Sequence, residues 1–255
     1  MGNLVSGIGA LVEGINAVSA AIDTNRVRSL IVLNYQASKS TKLKNIISIA
    51  EEKKIEIKYL KNKQEWKFHQ RHSVVAFCNE KDTFKESEIG KLQSNKILVL
   101  DHLQDTNNLG AIIRSAAAFE FNIICIPKKR SVQINEKTFS FSSGALEYVD
   151  IVFYNSIFSL IKQLKKYDFW TIGLDMQSDT RVNLDEIINQ KISLFVGSEE
   201  KGLSSEVQKK LDFIYSIEMN DKIESLNASV SAAIGMYRFF KDRKSTRLNS
   251  SHLVI

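Results

Sequence analysis

The sequence predicts an α/β protein with a parallel sheet, and two observations carry that reading. The first is the stretch 96–127, KILVLDHLQDTNNLGAIIRSAAAFEFNIICIP. Ile97-Leu98-Val99-Leu100 is a short apolar run that suits a buried strand, Leu109 to Phe119 repeats apolar residues at helical spacing, and Ile123 to Ile126 is a second apolar run. A strand, loop, helix, strand connection of this kind usually closes into a parallel pair. The second observation is that the alternation continues. Strands are predicted at Val149 to Tyr154, Phe169 to Leu174 and Ser193 to Gly197, with a helix from Ile157 to Lys166 between the first two.

The 255 residues suffice for one large domain or for a catalytic domain with a small companion. Apolar residues make up 44% and charged residues 25%, as in ordinary globular chains. A formal charge of +6 suits a polyanionic partner. Cys78 and Cys125 sit in apolar runs and read as buried, reduced thiols; no C-x-x-C spacing points to a metal, and no disulfide framework is indicated. No apolar run approaches the length of a membrane span, and residues Met1 to Ala21 lack a basic leader segment, so a cytoplasmic location with no membrane partner is expected.

Ahead of the opening stretch, Val12 to Ile22 reads as a helix, Ser29 to Asn34 as a strand, Leu43 to Lys54 as an amphipathic helix, and Ile55 to Leu60 and Val74 to Cys78 as strands. Residues 12–78 therefore form a small βα-rich unit. The polar segment 79–95 reads either as a linker between domains or as a solvated helix on the second one, and the linker is adopted.

Within 96–127, Asn108 stands where an N-cap is expected, and Arg114 lies four residues beyond Gly110, on the same helical face. Both are aimed at the carboxyl end of a buried strand, where open α/β sheets bind ligands. The cluster Lys128, Lys129 and Arg130 follows the next strand end and is a candidate phosphate contact; Lys39, Lys42 and Lys44 offer a second basic surface in the small unit. GSEEKGL, 197–203, directly follows a strand, and a glycine there lets a ligand approach the backbone closely. Glu199 reads either as an orienting partner for Arg114 or as an acid at a helix start. A strand ending in Ile217-Glu218-Met219 leads to Ser225-Leu226-Asn227, which opens a helix with unusually small side chains: Ala228, Ser229, Ser231, Ala232, Ala233 and Gly235.

DTNNLGAIIRSAA resembles the first motif of the SpoU (TrmH-like) RNA 2′-O-methyltransferases of the SPOUT superfamily, D-P-x-N-x-G-A-x-x-R-[ST]-A. Asp105, Asn108, Gly110, Ala111, Arg114, Ser115 and Ala116 match, and Thr106 stands where the family usually has Pro. GSEEKGL resembles the second motif. IEMNDKIESLNASVSAAIG, 217–235, resembles the third, I-P-M…S-L-N-[VA]-S-V-A, with Glu218 in place of Pro. The resemblance covers residues 12 to 243; 244–255 have no counterpart and read as a non-native tail, without which the charge is +4.

The resemblance implies a knotted (trefoil) methyltransferase domain over 96–243, preceded by a small RNA-binding domain of L30e-like fold. EGINAV, 13–18, resembles that small domain's opening, while Arg71-His72-Ser73 stands where H-Q-G is usual. It further implies S-adenosylmethionine as cofactor, held by Gly197, Ile217, Met219 and Leu226, with Gly144 in the Ser142-Ser143-Gly144-Ala145 turn near its methionine end. Asn108, Arg114, Glu199, Ser225 and Asn227 would line the catalytic corner. The implied partners are RNA and a second copy of the chain, with Ile234, Tyr237, Phe239 and Phe240 as the apolar face between copies. The implied substrate is a guanosine ribose of bacterial 23S rRNA; a tRNA ribose is the alternative, and a non-catalytic RNA-binding relative is a third reading. The family's first-motif Arg has been assigned as base, but a guanidinium stays protonated, so phosphate binding and stabilisation of a developing alkoxide suit Arg114 better. A nicotinamide dehydrogenase is disfavoured, because no G-x-G-x-x-G follows any strand.

Overall fold

The computed structural model describes residues 7–34, 40–129, 131–175, 187, 190–199, 201–220, 222 and 225–250, with 241–250 as backbone only. The chain divides into two units. The smaller comprises Met1–Thr83 and Gln133–Tyr148, and the larger comprises Phe84–Val132 and Val149–Ile255.

In the smaller unit, β1 (Leu11–Glu13), α1 (Ile15–Asp23), β2 (Val27–Leu33), α2 (Thr41–Glu52), β3 (Glu56–Leu60) and β4 (Val74–Cys78) build a four-stranded sheet of order β1-β4-β2-β3. The first helix starts later than its apolar spacing predicts. Val12 pairs with Ala76 in the sheet, and Gly14, at φ +95°, turns the chain into α1. The L-residues on either side would resist that conformation. Ser40 caps α2 by accepting from the Leu43 amide at 3.3 Å.

The later segment contributes α4 (Glu136–Phe141) and a 3₁₀ turn (Ala145–Tyr148) to this unit. It is fixed by a two-pronged ion pair. Arg26 Nη2 lies 2.6 Å from Glu147 Oε1 and Arg26 Nε donates to Oε2 at 2.8 Å, with the Glu147 side chain fully buried. A carboxylate so far from water is tolerable only when paired in this way. Burial also pushes the Cys78 thiol up to about 11 and raises that of Cys125, so both are protonated and free, as expected from their apolar runs.

The larger unit holds seven parallel strands: β5 (Phe84–Lys85), β6 (Lys96–Leu100), β7 (Ile123–Pro127), β8 (Asp150–Tyr154), β9 (Phe169–Asp175), β10 (Lys191–Val196) and β11 (Phe213–Ser216). Their order is β11-β9-β10-β6-β7-β8-β5. Every residue of β6 and β7 is buried, as continuous apolar runs covered on both faces require. The helices are α3 (Thr106–Ala118), α5 (Ile157–Lys166), α6 (Ser205–Gln208) and α7 (Ala228–Ser250). The small side chains of α7 have the predicted use: a Cβ on Gly235 would lie 3.3 Å from Leu194 Cδ2 and 3.4 Å from Leu174 Cδ1, so the helix backbone sits close on the sheet.

Three expectations are revised by the structure. The segment expected as a linker holds the boundary between the two units, at Thr83/Phe84, but its middle is structured: β5 extends the sheet edge, and Ile89 in a 3₁₀ turn (Glu86–Lys91) is buried with Phe84 and Leu92 packed nearby. Its sparse apolar residues show no helical period because they serve a strand and a tight turn. The cap of α3 is Asp105, whose Oδ1 accepts from the Asn107 amide at 2.9 Å, which leaves the Asn108 side chain for other partners. Thr106 occupies the first helical position, the one that tolerates proline, so its substitution leaves the helix start intact. The last strand ends at Ser216, not Met219, with Ser216 paired to Asp175 of β9. Beyond these, α7 runs as backbone helix to Ser250, past the point where the motif resemblance ends.

Candidate active site

The strand order locates the site before any side chain is considered. From β6 the chain steps to β7 and β8 on one side, then crosses to β9, β10 and β11 on the other. The reversal falls between β6 and β10, whose Leu100 and Val196 are paired at the same level. Loops leaving two neighbouring strands in opposite directions open a crevice at their carboxyl ends. The stretches following β6, β10 and β11 are those singled out in the sequence.

The loop after β10 doubles back tightly. Ser198 and Gly202 exchange backbone hydrogen bonds of 3.2 and 3.0 Å, and Gly202 adopts φ +60°. A Cβ on Gly197 would lie 2.0 Å from the Gly202 carbonyl carbon, so only glycine allows this fold-back. Beside it lies a cleft of about 370 Å³ whose walls include Leu174, Gly197, Ile217, Met219 and Leu226. All four cofactor candidates outside 142–145 thus line one cleft, together with Ser225 and Glu199. Sequence reasoning missed Asp175, Ser198, Lys201 and Ser231, which also line it. The Ser231 hydroxyl is buried with no hydrogen-bond partner among the described residues. A buried polar group without a partner is costly, and it marks a place where a polar ligand atom fits. Its position in the small-sided helix was the one signal available.

At the rim, three stretches are joined by side chains. Asn108 Nδ2 donates to Glu199 Oε1 at 3.2 Å, and Asn227 Nδ2 donates to Asn108 Oδ1 at 3.1 Å. Asn227 Oδ1 accepts from the Ser229 amide at 2.8 Å and its hydroxyl at 2.6 Å, which fixes the direction of the whole chain of amides. Glu199 is therefore held by Asn108; a pair with Arg114 is not among the described ion pairs. Arg114 is exposed on α3, two turns beyond Asn108's end of the helix.

Other candidates fall around this corner or away from it. Lys128 and Lys129 are exposed just past the carboxyl end of β7. The loop they begin is tied to the loop after β6, since the Val132 amide donates to Leu103 O at 2.8 Å. Arg130 lies outside the described residues. Gly144 belongs to the smaller unit, at φ +88°, where a Cβ would meet Asn16 O and Ala20 Cβ at 2.8 Å each, so its glycine serves close packing against α1. A feature unseen in the sequence is Asp101, nearly buried after β6, which lies 2.6 Å from His102 Nδ1 and accepts from Tyr154 OH at 3.3 Å.

A parallel sheet whose switch point carries a cleft beside an ordered amide and carboxylate chain is the frame of a ligand-handling α/β enzyme. The family model described as SpoU rRNA Methylase matches residues 95–237. A Staphylococcus aureus protein described as a TrmH family tRNA/rRNA methyltransferase is 31% identical over 241 residues, 91% of this chain and 96% of that protein. The chain belongs to the SpoU rRNA methylase family. In structure it is similar to the SpoU methyltransferase AviRb from Streptomyces viridochromogenes in complex with AdoMet (TM-score 0.75, 23% identity, 92% of this chain and 90% of that one). It is also similar to a crystal structure described as an RNA 2′-O ribose methyltransferase (TM-score 0.71, 16% identity, 91% and 88%). At these identities the two structures speak for the fold, a mixed α/β protein on a parallel sheet.

The two glycines of the fold-back loop should respond differently. Gly197→Ala forces the loop apart and is expected to destabilise the protein by several kcal/mol, roughly 3 or more, as overpacking against backbone does. A Cβ on Gly202 meets nothing within 4 Å, so Gly202→Ala should cost only its left-handed strain, about 1 kcal/mol. Urea denaturation of both variants checks this; equal losses would contradict the geometry.

Proposed function

We propose that the protein transfers a methyl group from S-adenosylmethionine to a ribose 2′-hydroxyl of RNA, with a guanosine of 23S rRNA as the target. The observation that carries this reading is the hydrogen-bonded chain Glu199–Asn108–Asn227, which joins the three motif stretches at the rim of one cleft. The AdoMet complex of AviRb and the ribose methyltransferase among the similar structures support the choice of cofactor and of acceptor atom.

The residues of the cleft suit such a cofactor. Ile217, Met219 and Leu226 offer apolar contact for an adenine ring, the Gly197 loop brings backbone groups close, and the Ser231 hydroxyl is left for a polar atom. When bound, the cofactor would supply an electrophilic methyl on a sulfonium and be left as the neutral thioether, while the 2′-hydroxyl gives up its proton to solvent. The chain's own contribution is placement, since holding two reacting groups in line lowers the barrier without further chemistry. Arg114, a permanent cation, binds the phosphate beside the target ribose and stabilises negative charge on its oxygen. Asn108 and Asn227 hold Glu199 at the same corner, with Ser225 on the rim. Lys128, Lys129 and Arg130 contact flanking phosphates. The trefoil knot and the L30e-like, RNA-binding character of the smaller unit belong to the same reading.

Arg114→Ala should lower the rate of methyl transfer by about 10²–10³ while leaving S-adenosylmethionine affinity nearly unchanged. Leu226→Arg should weaken the affinity first. Transfer is read by mass mapping of ribose methylation on separate rRNA and tRNA pools, and affinity by calorimetry. Methylation confined to tRNA would replace the rRNA target. Loss of cofactor affinity in Arg114→Ala would remove Arg114 from the acceptor side.

The reading also includes a homodimer through α7, with a revised face. Phe239 is 2% exposed and packs against the Tyr215 ring, so it serves the fold; Phe240 and Tyr237 both meet the Phe119 ring at a tilt, Tyr237 keeping about half its surface exposed. Ile234 and Tyr237 stay exposed, and Val230 joins them one turn earlier on the same stripe. Light scattering at micromolar concentration should give a dimeric mass, and Ile234→Asp should shift it toward the monomer. A monomeric mass for the unaltered chain would end this part of the reading.

A further inference from the structure

The loop that leaves β6 carries a pair of side chains that none of the motif stretches includes. Asp101 is 8% exposed, and its amide donates to Val196 O at 2.8 Å. Val196 is itself part of the cleft wall, so the start of this loop stands against the site. Two residues further on, Leu103 O accepts from the Val132 amide at 2.8 Å and from Ser131 Oγ at 3.1 Å. The loop is thereby tied to the segment that Lys128 and Lys129 begin. His102 lies between these two attachments in the chain.

Its imidazole is held in one orientation. Nδ1 is 2.6 Å from Asp101 Oδ1. The same oxygen accepts from the Tyr154 hydroxyl at 3.3 Å, and that hydroxyl also donates to Leu100 O at 2.9 Å. Burial first, and then the charge of Asp101, raise the Tyr154 phenol above its usual range, so it stays a donor. A carboxylate only accepts, which places the ring proton on Nδ1 and leaves a lone pair on Nε2. The Asp101 side chain is 11% exposed and that of His102 46%, so the pair has one fixed end and one open end. The backbone at His102 is left-handed, φ +57°, a conformation glycine and asparagine adopt more readily than histidine. A carboxylate-oriented imidazole with a free second nitrogen is suited to taking a proton from a hydroxyl. A guanidinium is not.

We propose that His102 Nε2 takes the proton of the ribose 2′-hydroxyl as the methyl group is transferred, and passes it on to solvent. The inference rests on the reading of the chain as an RNA 2′-O-methyltransferase and adds the proton's route to it. An RNA strand with its ribose at the cleft and flanking phosphates on Lys128 and Lys129 runs past this loop. The O–H bond breaks toward Nε2 while the oxygen bonds to the methyl carbon and the carbon–sulfur bond breaks, so the positive charge ends on the imidazolium. Asp101 stabilises that cation as a positioning residue, and the exposed ring releases the proton before the next turnover.

His102→Gly tests this in the full chain without straining the loop, since glycine accepts the left-handed backbone. Its kcat for methyl transfer to RNA should fall about 10²-fold, as for loss of one acid–base group. KM for RNA and S-adenosylmethionine affinity should stay unchanged. Added imidazole should raise the rate of this variant in proportion to its concentration and leave the unaltered protein as it was. His102→Asn, which also suits the backbone but takes no proton, should lose kcat equally. Asp101→Asn should lower kcat at constant KM and not respond to imidazole. Nitrogen NMR of the chain alone should find the proton of the neutral His102 ring on Nδ1. An unaltered kcat in His102→Gly, a loss that imidazole does not reverse, or a ring proton on Nε2 overturns this role of His102 and leaves the methyltransferase reading intact. Failure of the unaltered chain to methylate any RNA would overturn both.

Discussion

The side-chain amide of Asn108 has a donor end and an acceptor end, and the structure uses both. Its nitrogen donates to Glu199 after β10, and its oxygen accepts from Asn227 ahead of α7. Residues 91 and 119 positions apart along the chain are thereby held at one corner. The direction of donation is set from one side, because Ser229 gives two hydrogens to Asn227 Oδ1 and leaves only the Asn227 nitrogen to donate onward. Reversing any amide in the series would set donor against donor. A carboxylate at the far end suits this polarity, since it only accepts.

That corner depends on close approach of backbones elsewhere. Gly197 allows the loop after β10 to fold back on Gly202, and Gly235 allows α7 to lie against Leu194 and Leu174. Bulkier residues at either place would move Glu199 or Asn227, and a shift of an ångström would break hydrogen bonds already near 3.2 Å. The parallel sheet supplies the rest. Its central strands are buried except for Lys191 at the start of β10 and end at the same level, so loops from both sides of the switch point meet there.

Much of this was legible in the sequence because the relevant signals are local. The apolar runs of β6 and β7 and the small-sided helix each announce themselves within a few residues. Residues of the three motif stretches come together at one cleft and its rim. What was not legible depended on partners far away in sequence. Nothing near Glu147 foretells that Arg26 will meet it, so residues 133–148 could not be assigned to the smaller unit. Gly144 carries the same composition whether it faces a ligand or Ala20. The cap of α3 shifted from Asn108 to Asp105 because either residue can cap, and only the position of Glu199 decides between them.

Asn108 and Asn227 form one hydrogen-bonded unit, and a double-mutant cycle measures how strongly they are coupled. Asn108→Ala, Asn227→Ala and the double variant would be compared by kcat/KM for methyl transfer to RNA. If the amides work as a unit, the double variant loses little more than the worse single one, with a coupling of about 1–3 kcal/mol. Losses that simply multiply would show that the two residues act separately, and would contradict the account.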